Sequence, residues 1–96
     1  MKTLTLFYLR GCPYCVKAGR AIEELQAENA AYRDLAVEWI EENDNAALAA
    51  SFDYYYVPSV FDGKTKLYEV DPSEGYDDIK AHLERAFSAA LAVNVL

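Results

Sequence analysis

Residues 4–15 read Leu4-Thr5-Leu6-Phe7-Tyr8-Leu9-Arg10-Gly11-Cys12-Pro13-Tyr14-Cys15. Leu4, Leu6 and Tyr8 alternate with Thr5, Phe7 and Leu9, so both faces of an extended segment carry bulk, the pattern of a central strand covered on two sides. Gly11 breaks that strand. Pro13 then opens a helix that runs to about Asn29, with Ala18, Ala21, Ile22 and Leu25 on one stripe and Lys17, Arg20, Glu23, Glu24 and Glu28 opposite. Gly19 lowers helix propensity by ~1 kcal/mol, and its simplest reading is close packing against the sheet.

The two cysteines sit where the strand ends and the helix begins, the place where open α/β sheets meet their ligands. With Cys12 as the N-cap, Pro13 falls at the first helical position, where its missing N–H costs nothing and its fixed φ suits the helix. Cys12 then faces unpaired helix amides, which together with the helix dipole favour its thiolate, the nucleophilic form. Cys15 lies one turn later on the same face, within reach of a mixed disulfide on Cys12, and is the resolving thiol. The competing readings are a pair of inert buried cysteines or half of a zinc site. Zinc needs about four ligands, whereas the sequence holds no further cysteine and one histidine, His82, expected at the surface with no role.

Downstream, Leu35, Val37 and Trp39 alternate with Ala36, Glu38 and Ile40, predicting a second, more exposed strand parallel to the first. Asn43-Asp44-Asn45 offers caps for a short helix over about Ala46–Phe52. The apolar run from Tyr54 to Phe61 is interrupted by Pro58, which removes a ladder hydrogen bond and is either an edge or bulge proline or a residue with a special role. Of Tyr54, Tyr55 and Tyr56, at least one is expected at the groove beside the cysteines and another in the core. Asp62-Gly63 turns the chain into Lys66–Val70, giving a hairpin. Ile79, Leu83, Ala86, Phe87, Ala90 and Leu91 form a closing amphipathic helix. Its start is either a capping box at Asp71-Pro72-Ser73-Glu74 or a later one at Gly75. The order is β-α-β-α-β-β-α, an α/β domain over residues 1–96 with a four-stranded mixed sheet flanked by three helices.

Composition narrows the function. A 96-residue chain with 53% hydrophobic residues is one ordinary globular domain. Its formal charge of −7 opposes nucleic acid and anionic membranes as partners. The apolar stretch Leu4–Leu9 runs into Arg10 without a small-residue cleavage site and reads as a strand rather than a leader. No run approaches the ~18 apolar residues that span a bilayer. A paired-cysteine motif in that setting points to the cytoplasm and to catalysis rather than to a structural staple, since a bridge between cysteines three apart closes almost no loop.

These motifs together resemble the glutaredoxin family of the thioredoxin superfamily: Cys12-Pro13-Tyr14-Cys15 after a first strand, Val57-Pro58 before a hairpin, and Gly75-Tyr76-Asp77-Asp78 before the last helix. Thioredoxin itself places tryptophan before the first cysteine and Gly-Pro between the two, where this chain has Gly11 and Pro13-Tyr14. The resemblance spans nearly the whole chain and implies a thioredoxin-like fold and a thiol-disulfide oxidoreductase with Cys12 as nucleophile. It implies a cis peptide before Pro58, and backbone pairing of Val57 with an extended thiol substrate beside Pro13 and Tyr14. It also implies contacts of Gly75, Tyr76 and Asp77 with the γ-glutamyl end of glutathione, and of Arg10 with its glycyl carboxylate. Read from the residues alone, Arg10 is equally a solvated charge and Asp77 a helix-start acid. The chain departs from the family in keeping one glycine before Tyr76 and in placing Arg10 close to Cys12. The expected protein is a monomer without a tightly bound cofactor or metal, acting on disulfide-containing proteins or glutathione, with glutathione as co-substrate. The alternatives are a redoxin served by a thioredoxin reductase and a carrier of a [2Fe–2S] cluster, as some glutaredoxin relatives are.

Overall fold

Four strands form one mixed sheet in the spatial order β2-β1-β3-β4. A computed structural model describes residues 2–92. Strand β1 (Lys2–Tyr8) leads into helix α1 (Pro13–Glu28), a one-turn helix α2 (Ala30–Arg33) and strand β2 (Leu35–Glu41). A 3-10 turn at Asn43–Asn45 precedes helix α3 (Ala46–Ala50), and strands β3 (Ser59–Asp62) and β4 (Thr65–Glu69) lead to helix α4 (Tyr76–Ala92). β1 pairs in parallel with β2, setting Leu6 beside Trp39, and antiparallel with β3, setting Leu6 beside Val60. β3 and β4 form the antiparallel hairpin, turned at Gly63 with φ +61 and interrupted by a bulge between Val60 and Phe61.

The alternation along β1 divides the interior. Leu4 and Leu6 join Val60 of β3 under the apolar stripes of α1 and α4, including Ala18, Ala21, Leu25, Ile79, Leu83 and Phe87. Phe7 and Phe61 point to the other face, where Ala49 of α3, Phe52 and Tyr54 cover them. The rings of Phe7 and Tyr54 stack at 5.0 Å between centroids, so Tyr54 is the tyrosine of its run that enters the core, while Tyr55 and Tyr56 remain exposed.

Two local differences from the sequence reading have clear causes. The break expected at Asn29–Ala31 contains α2, because the Asn29 side chain accepts the Ala31 amide at 2.9 Å and starts a new turn. That turn buries Tyr32 against Phe87 and brings the α-helices among the described residues to four. α3 stops at Ala50, where Ser51 Oγ bonds the Leu48 carbonyl and frees Phe52 to enter the aromatic cluster. The later start of α4 holds: Asp78 accepts the Gly75 amide at 3.0 Å, whereas Asp71–Glu74 closes a separate turn on the Asp71 carboxylate and carbonyl. His82 is exposed on α4, its Nε2 3.6 Å from Glu74 Oε2. Among the described residues no helix is long and apolar enough to cross a membrane.

Candidate functional site

Both cysteines are free thiols at the start of α1. Cys12 is the N-cap in extended conformation, and Pro13 follows as the first helical residue. Gly11 reaches φ +79, a left-handed conformation open to glycine without steric cost, and so turns β1 into the helix. The Cys15 amide donates to Cys12 Sγ at 3.4 Å, so a helix N–H does point at the first sulfur. Cys12 is part-exposed, whereas Cys15 keeps 5% of its surface. Burial above all, and then hydrogen bonding to Cys12, push the Cys15 thiol up to about 12.

The segment before β3 completes the site. The Val57–Pro58 peptide is cis, Pro58 is buried, and the Val57 carbonyl accepts from Cys12 Sγ at 3.7 Å. The loop leading to it is held by Glu69 of β4, whose carboxylate accepts the Tyr55 and Tyr56 amides at 2.9 and 2.8 Å. Tyr14 turns its hydroxyl to the Pro72 carbonyl at 2.7 Å, tying the first turn of α1 to the approach to α4.

Of the other expected contact residues, Arg10, Gly75 and Tyr76 have partners within the protein. Arg10 donates to Asp44 and lies 3.8 Å from Glu41, and these acids raise its already high pKa. Its own amide donates to the buried Glu41 carboxylate at 2.8 Å, the main reason that carboxyl is held below its ordinary value. Gly75 is the residue before α4, Tyr76 bonds Glu24 of α1 under the Arg20 guanidinium, and Asp77 is exposed in the first turn of α4. The structure thus brings Cys12, Pro13, Cys15, Val57 and Pro58 together, joins Tyr14 to the loop before Gly75, and turns Arg10 toward β2.

Glu41 and Trp39 are site residues that sequence reasoning did not single out. Trp39 of β2 lies beside Tyr8, ring centroids 5.6 Å apart, and over Gly19 of α1, where its Cη2 would stand 3.6 Å from an added Cβ. The available signal was the pairing of one tryptophan on an exposed strand with one glycine in the facing helix. Among the described residues no three His, Cys, Asp or Glu side chains group so as to hold a metal ion.

No protein-family model and no curated protein sequence matches the chain. Solved structures do. Thioredoxin 1 from Thermosipho africanus superposes with a TM-score of 0.59 at 16% identity, over 93% of this chain and 98% of that one. A mutant thioredoxin from Halobacterium salinarum gives 0.57 at 26% identity, over 88% and 74%. A malarial protein gives 0.58 at 19% identity, over 88% and 94%. With strands ordered β2-β1-β3-β4 and a CxxC pair opening the first helix, this chain has the thioredoxin-like fold.

Proposed function

We propose that the chain is a dithiol oxidoreductase that reduces disulfides of proteins or mixed disulfides of glutathione. The observation that carries this reading is the unequal pair: a part-exposed Cys12 at a helix N-terminus, with Cys15 buried one turn behind it. The Cys12 thiolate attacks one substrate sulfur, forming a mixed disulfide and releasing the other sulfur as a thiolate, which takes up a proton. Cys15 loses its proton and attacks Cys12 Sγ; the Cys12–Cys15 bond forms and the second substrate thiolate leaves. Two electrons pass to the substrate. An external thiol then reduces the protein's disulfide. The Val57 carbonyl and amide lie on the segment where an extended substrate backbone would pair.

The high pKa of Cys15 fits this order of events. Burial and hydrogen bonding to Cys12 keep Cys15 protonated while Cys12 makes the first attack. A second reading makes a thioredoxin reductase the electron donor in place of glutathione. It is favoured by Arg10, whose guanidinium is engaged by Asp44 and Glu41 rather than open to a glycyl carboxylate.

The test is reduction of a protein disulfide with dithiothreitol, and of a glutathionylated substrate with glutathione, by wild type, Cys12→Ser and Cys15→Ser. Cys12→Ser is expected to abolish both activities. Reduced Cys15→Ser, freed of dithiothreitol before mixing, is expected to stall on the protein substrate as a trapped mixed disulfide and, if glutathione is the donor, to keep activity on the glutathionylated substrate. A wild type inactive on both substrates refutes the dithiol reading.

A further inference from the structure

On the β2 side of the cysteines lies a recess of about 300 Å³ lined by Tyr8, Arg10, Cys12, Cys15, Val16 and Trp39. We infer that it receives a bulky apolar side chain adjacent to the reacting cysteine of a protein substrate. The inference rests on the reading of Cys12 as the thiol that bonds to substrate. It adds to that reading a substrate class: disulfides flanked by residues such as phenylalanine, leucine or methionine.

The chemistry of the walls selects the occupant. Val16 and Trp39 are 70% and 38% exposed, and each flanks the recess. Isolated apolar residues on a surface are ordinary, but here two of them border a concavity that Cys12 also lines. The Trp39 ring is held by Tyr8 on one side and faces Gly19 of α1 on another, so this wall stands before any substrate arrives. The volume lies at the bottom of the ~300–1,000 Å³ range of ligand pockets, the size for one side chain rather than a whole peptide. The one basic side chain among the lining residues, Arg10, is turned to Asp44 and Glu41. Among the described residues, the cation of the recess is thus already paired with acids and is less available to the carboxylates at the two ends of glutathione.

Position completes the argument. None of the lining residues comes from the Val57–Pro58 segment, because β1 separates β2 from β3. A substrate cysteine bonded to Cys12 Sγ would therefore lie between two distinct surfaces: a backbone segment before β3 and an apolar recess toward β2. The covalent bond fixes one substrate atom at Cys12, beside the recess, which limits its occupant to a near neighbour of the substrate cysteine.

Two uncharged symmetric peptide disulfides test this, one with phenylalanine and one with serine on both sides of the cysteine. Reduced wild type is expected to react about tenfold faster with the phenylalanine peptide, from partial burial of one such side chain, and Val16→Ser to shrink the ratio to about twofold. Val16 is exposed enough that its replacement leaves the core untouched. Trp39 is the only tryptophan, so its emission reports on the recess directly. In Cys15→Ser trapped as a mixed disulfide, the phenylalanine peptide is expected to shift that emission to shorter wavelength relative to the serine peptide. Equal rates with both peptides overturn the inference and leave the dithiol reading standing. A preference that survives Val16→Ser, or comes without an emission shift, places selectivity elsewhere and also overturns it. Failure to reduce either peptide overturns the dithiol reading and this inference with it.

Discussion

Cys12 and Cys15 differ chiefly in what surrounds their sulfurs. At neutral pH iodoacetamide is expected to label Cys12 selectively in the reduced protein, with Cys15 reacting only after denaturation. Peptide mass mapping checks this, and equal labelling of the two would refute the assignment. The elevated Cys15 value also has a consequence for stability. The unfolded thiol ionises near ~8.5 while the folded one stays protonated, so stability is complete below that pH and is lost as pH rises toward about 12. Wild type is therefore expected to lose more stability than Cys15→Ser between pH ~8.5 and ~11, read by urea denaturation at each pH; parallel curves would contradict it. The cysteine roles were legible in the sequence because strand end, glycine, cap and proline are consecutive, so geometry follows from local rules. The engagement of Arg10 was not. Its partners lie 31 and 34 residues away, at Glu41 and Asp44, and reach it only because β2 runs parallel to β1.

At the scale of elements, α1 carries a residue costly to a helix that the side chain facing it does not require. Gly19 sits under Trp39, yet a Cβ there would meet the indole at 3.6 Å, an ordinary contact distance. Gly19→Ala is accordingly expected to stabilise the protein by ~0.5–1 kcal/mol through helix propensity, measured by chemical denaturation. A loss of stability would show that the indole needs closer approach than the backbone permits. The sequence indicated packing of Gly19 against the sheet but gave no sign of which side chain met it, since strand register is a tertiary property. Element boundaries divided in the same way. α1 and α4 were legible from their stripes, whereas the single turn of α2 and the early stop of α3 depend on Asn29 and Ser51 side chains bonding backbone groups two or three residues away. Such local bonds compete with a plain loop, and periodicity does not register them.

For the whole molecule, the formal charge of −7 sets a field that every substrate crosses. Reaction with anionic glutathione disulfide is expected to accelerate as ionic strength rises from ~0.01 to ~0.15 M, because the screening length falls from ~30 to ~8 Å. Reaction with an uncharged peptide disulfide should remain flat. A glutathione rate that falls with salt would reveal a local cationic seat strong enough to outweigh the global repulsion. The sheet itself is covered unequally. α1 and α4 each bury five side chains on one face, while on the other α3 buries only Ala49 beside the loop aromatics Phe52 and Tyr54. The thin side can therefore open while the thick side stays closed, a sub-global fluctuation well below complete unfolding in free energy. In amide hydrogen–deuterium exchange, the peptides covering α3 should take up label first, then those of β3, with central α1 and α4 amides exchanging last.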